Sequence, residues 1–237
     1  MERLAFDLHL HSCLSPCGGE DNTPANLAGM CALAGIGVIA LTDHNTCGNC
    51  APFCRAAAER GLLALPGMEL CTSEEIHVVC LFPTLDRAEH FSAYVASRLS
   101  PGENDPAIFG PQLYMDEHDQ VLGEEPALLA NATQIPLSEV PALAAEYGGF
   151  AWPAHIDRPS FSLLGVLGVW DPDLDFPLAE LSHNCPPDFP SRRDLRGLRF
   201  ISNSDAHYLD QVYEPEHAMD LPEPTPEAVL HWLKYGI

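Results

Sequence analysis

The segment Asp7-Leu8-His9-Leu10-His11-Ser12 closes an apolar stretch that begins at Arg3. The stretch is typical of a β-strand, and alternate residues of a strand face the same side, so Asp7, His9 and His11 are expected to point together. Two imidazoles on one face, with a carboxylate beside them, form a chelate for a metal ion with a supporting partner. This segment therefore predicts a strand that ends in a metal site.

Five further segments place histidine or carboxylate side chains beside apolar strands. They are Thr42-Asp43-His44-Asn45, Pro66-Gly67-Met68-Glu69, Glu75-Ile76-His77, Pro153-Ala154-His155-Ile156-Asp157-Arg158 and Ser202-Asn203-Ser204-Asp205-Ala206-His207. Each one alone is also explained by an ordinary core or surface histidine. Together they indicate one face of a parallel α/β barrel, where the C-terminal strand ends converge and active sites lie. Imidazole and carboxylate donors suit Zn, Mn or Fe.

Strand and helix signals alternate along most of the chain. Strands are predicted at 3–10, 38–41, 62–65, 76–82, 149–152, 178–181 and 199–202, and helices at 24–34, 51–60, 86–99, 138–147 and 225–234. Near-continuous apolar strands favour a parallel sheet with both faces covered. The pattern breaks between 100 and 136, where a hairpin (112–115 with 120–122) and a short helix (126–130) are predicted. This segment is too short for its own core, so we expect a single domain over 1–237 with an insertion or lid at about 100–137 that sets specificity.

Composition excludes several classes of protein. The chain has 237 residues, of which 46% are hydrophobic, and this fraction argues against disorder. No stretch is apolar enough to span a membrane and the N-terminus lacks a signal-peptide layout, so we expect a cytoplasmic protein without a membrane partner. Eleven basic against 34 acidic residues give a net charge of -23. Such a surface repels long polyanions, which argues against extended contact with a nucleic-acid duplex.

The motifs DLHLHS, LTDHN, PGME, EIHV, PAHIDRP and NSDAH, in this order between Asp7 and His207, resemble the PHP (polymerase and histidinol phosphatase) family of metal-dependent phosphoesterases. The resemblance implies a distorted seven-stranded β/α (TIM-like) barrel and a trinuclear centre of up to three divalent metals. The implied ligands are His9, His11, Glu69 and Asp205 for one ion, His44 and His207 for a second, and Glu69, His77 and His155 for a third.

One ligand of the second ion departs from the family pattern. Members commonly supply a further histidine or aspartate shortly after the HxHS segment, and here the stretch from Cys13 to Asp21 is longer than usual. Asp21 is the expected ligand, because a carboxylate leaves the ion a stronger Lewis acid than a thiolate does. Glu20 and Cys17 are the alternatives.

The resemblance implies attack of a metal-bridging hydroxide on phosphorus. Arg158, three residues after His155, is expected to hold the phosphate, although a surface salt bridge also explains it. His183 follows an apolar strand and is expected to protonate the leaving oxygen, unless it is an ordinary loop histidine. Arg192 and Arg193 are further candidates for phosphate contact. The expected substrate is a small phosphorylated molecule or a short nucleic-acid end.

The cysteines suggest a different class of function. Cys13 and Cys17 follow the first motif, and Cys47, Cys50 and Cys54 follow the second. Both clusters are expected at the metal face, where they suggest a zinc or iron–sulfur centre and a metal- or redox-responsive module. The other explanation is incidental thiols, since no spacing matches a known cluster run.

Overall fold

The computed structural model describes residues 1–215 and 217–237. Within these ranges the strands are β1 (Glu2–Leu10), β2 (Val38–Leu41), β3 (Leu63–Cys71), β4 (His77–Leu81), β5 (Leu113–Met115), β6 (Val121–Glu124), β7 (Phe150–Pro153), β8 (Leu178–Leu181), β9 (Arg199–Ser202) and β10 (Ala218–Leu221). The helices are α1 (Pro24–Leu33), α2 (Cys50–Glu59), α3 (Leu85–Ala96), α4 (Pro106–Phe109), α5 (Val140–Glu146), α6 (Leu163–Leu167) and α7 (Pro226–Tyr235). In the described ranges, no helix is long and apolar enough to cross a membrane.

The main sheet has six strands in the order β10-β1-β2-β3-β4-β7 and is mixed, not parallel as expected. β1, β2 and β3 are parallel, whereas β4 runs antiparallel to both β3 and β7, and β10 runs antiparallel to β1. The turn between β3 and β4 explains the reversal, because Thr72 N–H donates to Ile76 O at 2.9 Å and the connection is too short for a crossover.

The hydrogen bonds of the main sheet form a partial barrel and not the seven-stranded barrel that the resemblance implies. β8 and β9 make a separate parallel pair beside the opening. β10 already pairs with the first half of β1, so β9 meets the second half without a ladder. The links there include Leu8 N–H to Asn203 Oδ1 at 2.8 Å and an isolated bridge between Leu10 and Ala206.

Two apolar layers cover the sheet. The outer layer lies under α1, α2 and α3 and contains Ile39, Leu41 and Phe53. The inner layer contains Val38 and Ala40 and is capped by residues of α7. The N-terminal cap predicted for α1 is present, because the Thr23 side chain accepts from Asn26 N–H.

The segment 100–137 lies against the loops that follow β1, β2 and β3. Leu113 N–H donates to Cys13 O at 2.9 Å, and the Asn45 side-chain amide donates to Leu129 O at 2.7 Å. The predicted hairpin is present as β5 and β6. The insertion is thus attached at the end of the sheet where the candidate ligands lie.

The helix predicted at 126–130 is absent, because the backbone groups of this segment form hydrogen bonds with other parts of the chain. Ala127 forms an isolated bridge with Glu103, and Leu128 N–H donates to Gly102 O at 3.0 Å. The side-chain amide of Gln112 donates to Ala127 O at 2.6 Å. These contacts outweigh the helix propensity of the apolar run.

Candidate metal centre

Glu69, near the end of β3, is the centre of a buried cluster of histidines. Its Oε1 lies 3.0 Å from His77 Nδ1 and 3.0 Å from His155 Nε2, and its Oε2 lies 3.0 Å from His44 Nδ1. His9 Nε2 is 3.3 Å from Oε1. The carboxylate is fully buried and both of its oxygens face imidazoles.

Asp205, in the loop after β9, forms the second carboxylate of the cluster. Its Oδ1 lies 3.1 Å from His11 Nε2, 3.3 Å from His9 Nε2 and 3.7 Å from His207 Nδ1. Its Oδ2 faces Arg158 Nη1 at 2.6 Å. The C-terminal ends of β1, β3 and β9 therefore meet at one point, as the strand-end motifs predict.

The cluster fits metal ions, because many of its buried atoms have no hydrogen-bond partner. These atoms are His9 Nε2, His11 Nε2, His44 Nδ1, Glu69 Oε2, His155 Nδ1 and Asp205 Oδ1. Unpaired buried polar atoms are costly and few in native proteins, and a cation satisfies such lone pairs. Three groups have donor atoms within 4.8 Å of one another: His9–His11–Glu69–Asp205, His11–His44–His207 and His44–Glu69–His77.

The two carboxylates stay ionised in this setting. Burial alone raises the pKa of Glu69, but the nearby imidazoles, His77 and His9 foremost, hold it well below its usual value. Burial likewise opposes ionisation of Asp205, and His9 and His11 lower its pKa well below the usual range. Ionised carboxylates are the form that binds a cation.

Three of the six histidines in the cluster are held neutral. Burial lowers the pKa of His77 and of His207, and burial with the neighbouring His207 lowers that of His11. His9 differs: burial lowers its pKa, but Glu180, Asp205 and Glu69 raise it well above the usual value.

Glu180, on β8, orients His9. Its Oε1 accepts from His9 Nδ1 at 2.8 Å, so His9 turns Nε2 toward the cluster. Its Oε2 accepts from Trp152 Nε1 at 3.3 Å and from the Asn203 side-chain amide at 2.6 Å. Sequence reasoning missed Glu180, and the only available signal was a carboxylate inside the apolar run 178–181.

Asp7 does not share the face of His9, contrary to the expectation from strand alternation. The pairing of β1 with β2 shifts between Asp7 and Leu10, and a bulge of this kind changes which residues face each side. Asp7 instead accepts from the backbone N–H groups of Ser204 and His9, both at 3.3 Å. Burial raises its pKa to about 6. Glu180 takes the supporting place that the sequence assigned to Asp7.

A hydroxyl relay orients His11. The Ser15 hydroxyl donates its single hydrogen to Asp43 Oδ1 at 2.7 Å, so at 2.9 Å it accepts from His11 Nδ1. Nδ1 of His11 is therefore the protonated nitrogen and Nε2 carries the lone pair. Asp43 also accepts from the Ser12 backbone and hydroxyl, each at 2.7 Å. Asp43 lies within one of the sequence motifs, but no role was predicted for it from the sequence.

Two candidate ligands have unusual backbone geometry. His155 has φ 29° and Asp205 has φ 52°, both in the left-handed region that non-glycine residues rarely adopt. Each such residue costs on the order of 1 kcal/mol and persists only when its surroundings fix it. Strain at both positions is typical of a functional site.

The structure brings together eight of the nine predicted metal ligands, namely His9, His11, His44, Glu69, His77, His155, Asp205 and His207. The ninth, Asp21, is exposed, and so are its alternatives Glu20 and Cys17. The Gly19 N–H donates to His207 O at 2.8 Å, and Asp21 lies in the turn that follows, before α1. The group His11–His44–His207 consequently lacks a carboxylate of its own.

Arg158 and His183 line one cleft of about 390 Å³ beside Asp205. Arg158 pairs with Asp205 while 42% of its side chain stays exposed. His183 stacks on Tyr213, with ring centroids 4.4 Å apart. Arg192 instead pairs with Asp194 at 3.0 Å.

The cysteine clusters form no metal-binding group among the residues described. The thiols of Cys47 and Cys50 donate to Gly67 O at 3.1 and 3.4 Å, and Cys13 donates to Leu113 O at 3.8 Å. Burial raises the pKa of Cys13 to about 12. These contacts describe protonated thiols packed in the protein, and they do not favour the redox alternative.

No family model and no curated protein matches this sequence. Solved structures do match. Endonuclease Q from Pyrococcus furiosus, a lesion-specific endonuclease, has a TM-score of 0.70 at 17% identity, over 98% of this chain and 56% of its own. Endonuclease Q in complex with a 27-mer duplex carrying an abasic lesion at the active site has a TM-score of 0.66 at 17% identity, over 98% and 57%.

A protein from Bifidobacterium adolescentis, assigned as a metal-dependent phosphoesterase, has a TM-score of 0.54 at 18% identity, over 85% of this chain and 87% of its own. These matches show that this chain shares the fold of these proteins. This chain spans little more than half the length of endonuclease Q.

Proposed function

We propose that this chain is a metal-dependent phosphoesterase of the PHP type. The observation that carries the proposal is the set of buried, unpaired imidazole and carboxylate atoms around Glu69 and Asp205. The fold shared with a metal-dependent phosphoesterase and an endonuclease supports it. Hydrolysis of a phosphate ester is a reaction that clustered divalent ions promote.

The three donor groups support up to three ions, with Zn, Mn or Fe favoured by the mixture of imidazole and carboxylate. We assign the first to His9, His11, Glu69 and Asp205. The second takes His44 and His207, with His11 close by, and the third takes Glu69, His77 and His155, with His44 close by. When bound, such ions lower the pKa of water and neutralise charge on phosphoryl oxygens.

The chain's own residues hold and orient the substrate. Arg158, with Asp205 on one side and the cleft on the other, binds a phosphoryl oxygen through its exposed guanidinium nitrogens. His183 lines the same cleft and donates a proton to the leaving oxygen. The segment 100–137 covers the loops at this end and restricts which esters enter.

The substrate is a small phosphate ester or a nucleic-acid end. The net charge of -23 repels a long polyanion more strongly than a small anion and so favours the smaller substrate. The exclusion of duplex contact that was expected from this charge is not supported. Endonuclease Q, which has this fold, holds a duplex at its active site. Bound cations reverse the local sign of an acidic surface, so overall charge does not decide the partner.

The test is metal-dependent turnover. Protein loaded with Mn, Zn or Fe is assayed on phosphate monoesters, diesters and an amide, before and after chelation. We expect hydrolysis of at least one phosphate ester, loss on chelation, and loss of both bound metal and turnover in Glu69→Gln. The matched control Glu117→Gln, at an exposed carboxylate paired with Arg55, keeps both.

Absence of turnover on every ester, or hydrolysis of the amide alone, refutes the proposal. Acid-labile sulfide with visible absorbance in anaerobically prepared protein would favour the redox alternative instead.

A further inference from the structure

The side chain of Asp157 connects the loop after β7 to the loop after β8. In the described residues these two strands belong to separate sheets. Ile156 N–H donates to Glu180 O at 2.9 Å, and beyond it the Asp157 carboxylate accepts twice from Ser182. Its Oδ1 accepts from the Ser182 backbone N–H at 2.7 Å, and its Oδ2 accepts from the Ser182 hydroxyl at 2.5 Å. We call these two hydrogen bonds the Asp157–Ser182 clamp.

The clamp holds a tight turn at the end of β8. Cys185 N–H donates to Ser182 O at 3.0 Å and closes the turn 182–185. The Cys185 thiol interacts with the same carboxylate, and burial together with the charge of Asp157 raises the pKa of Cys185 to about 11. Three donors of one turn, a backbone amide, a hydroxyl and a protonated thiol, therefore face Asp157.

The two ends of the clamp carry the groups that the proposed reaction uses. Arg158 follows Asp157 in the chain, and His183 follows Ser182. All four residues line the same cleft of about 390 Å³. The clamp therefore constrains the distance between the side chain that is proposed to bind phosphate and the side chain that is proposed to donate a proton.

A carboxylate is the side chain that this contact requires. The backbone N–H and the hydroxyl of Ser182 both donate, and an ionised carboxylate offers an acceptor oxygen to each of them. An asparagine has the same shape, but it would turn an amide N–H group toward one of the two donors and lose that hydrogen bond. Asp157→Asn therefore breaks half of the clamp with little change in volume.

We propose that Asp157 is a positioning residue that acts through Ser182 to hold His183 where a leaving oxygen can take its proton. The inference rests on the phosphoesterase function and concerns one step of that reaction. Proton transfer to a leaving group contributes about 10²- to 10⁴-fold to a rate and requires hydrogen-bond distance, so displacement of the donor is costly. A clamp that only stabilised the fold would affect all esters alike.

The experiment compares phenyl phosphate with 4-nitrophenyl phosphate, because their leaving groups differ in how much they need a proton. The nitro group stabilises the departing phenolate, whereas an unsubstituted phenol has a pKa of about 10, as tyrosine does. In Asp157→Asn we expect kcat for phenyl phosphate to fall by about 10- to 100-fold, since misplacing a reacting group by about 1 Å costs as much. The kcat for 4-nitrophenyl phosphate should fall much less, and metal content should stay native.

Three further variants separate positioning from general damage. His183→Gln should show the same selective loss, and its combination with Asp157→Asn should lose no more than His183→Gln alone. Ser182→Thr keeps the hydroxyl and should retain the native ratio of the two kcat values. Asp173→Asn, at an exposed aspartate outside the cleft, should match the native protein.

Hydrogen exchange measures the clamp without any substrate. Asp157→Asn should speed exchange in the peptide 180–186, because the turn loses one of its acceptors, and Ser182→Thr should not. Native exchange in Asp157→Asn would overturn the inference whatever the kinetics show.

Equal losses on the two esters, or losses that multiply in the double variant, also overturn the inference and leave the phosphoesterase function standing. Absence of turnover of both esters by the metal-loaded native protein overturns the role given to Asp157 and counts against the phosphoesterase function as well.

Discussion

The hydroxyl of Ser15 determines how His11 presents itself to the cluster. Because its hydrogen goes to Asp43, the imidazole must donate from Nδ1 and keep its Nε2 lone pair for a cation. Glu180 does the same for His9 with a carboxylate. His9 and His11 are thus both held with Nε2 toward the cluster, one by a carboxylate and the other by a hydroxyl.

Removal of the Ser15 hydroxyl tests this role. Ser15→Ala leaves His11 Nδ1 without its acceptor, so we expect the metal affinity to fall by about 10- to 100-fold. A competition titration against a chelator measures the change. Ser73→Ala, an exposed serine after β3, is the matched control and should have native affinity.

Substitution of a candidate ligand should reduce metal content and turnover, whereas substitution of other histidines should not. His9→Ala is expected to lose one ion and nearly all turnover, while His118→Ala and His231→Ala retain both, because these histidines are exposed and outside the cluster. Mass spectrometry of metal content measures this, and equal content in all three variants would contradict the ligand assignment.

Asp21→Asn provides a second comparison. Since the side chain is exposed, we expect full metal content in this variant. Loss of an ion would instead restore the assignment made from the sequence.

At the scale of elements, Asn49 fastens the β5–β6 hairpin to the loop after β1. Its side-chain amide donates to Leu113 O and to the Ser12 hydroxyl, both at 3.0 Å, and its Oδ1 accepts from Met115 N–H at 3.0 Å. Asn49 is fully buried. One side chain therefore joins the insertion to the segment that carries His9 and His11.

Asn49→Ala should loosen the insertion. It leaves Met115 N–H unpaired and Leu113 O with only the weak contact from the Cys13 thiol, so we expect a loss of about 1–3 kcal/mol in the free energy of unfolding. Urea unfolding measures the loss, and hydrogen exchange should show faster exchange at 113–124. Asn26→Ala, at an exposed asparagine, should change neither. Native protection of the hairpin in Asn49→Ala would refute this role.

Individual elements followed from the sequence more readily than their arrangement. β8 and β9 have the predicted bounds, because short apolar runs between loop residues define them locally. The direction of β4, and the bulge that turns Asp7 away, depend on pairing with distant strands. For the same reason the proximity of the candidate ligands at the strand ends was predictable from their motifs, whereas the position of Glu180, which reaches His9 from another strand, was not.

At the scale of the molecule, the nine cysteines sort by burial. Cys17 is exposed, Cys54 and Cys185 are half-buried, and the other six are buried. Burial raises the pKa of Cys54 to about 12 and that of Cys185 to about 11. The thiolate is the reactive form, so these groups are slow nucleophiles at neutral pH.

Ellman's reagent at about pH 7.5 should therefore modify one thiol rapidly in the native protein, and Cys17→Ser should remove that phase. All nine should react in guanidinium. Rapid reaction of several thiols in the folded protein would contradict this distribution and revive the redox alternative.

The contacts across the open side of the barrel also determine the order in which parts of the chain fold. Leu8 meets Asn203 across 195 positions of sequence, and His9 meets Glu180 across 171. A chain emerging from the ribosome presents its first histidines long before the residues that orient them. Contacts of such separation form late in folding. The nascent chain thus carries a loose set of imidazoles, and the candidate metal centre assembles only after synthesis has passed Asp205.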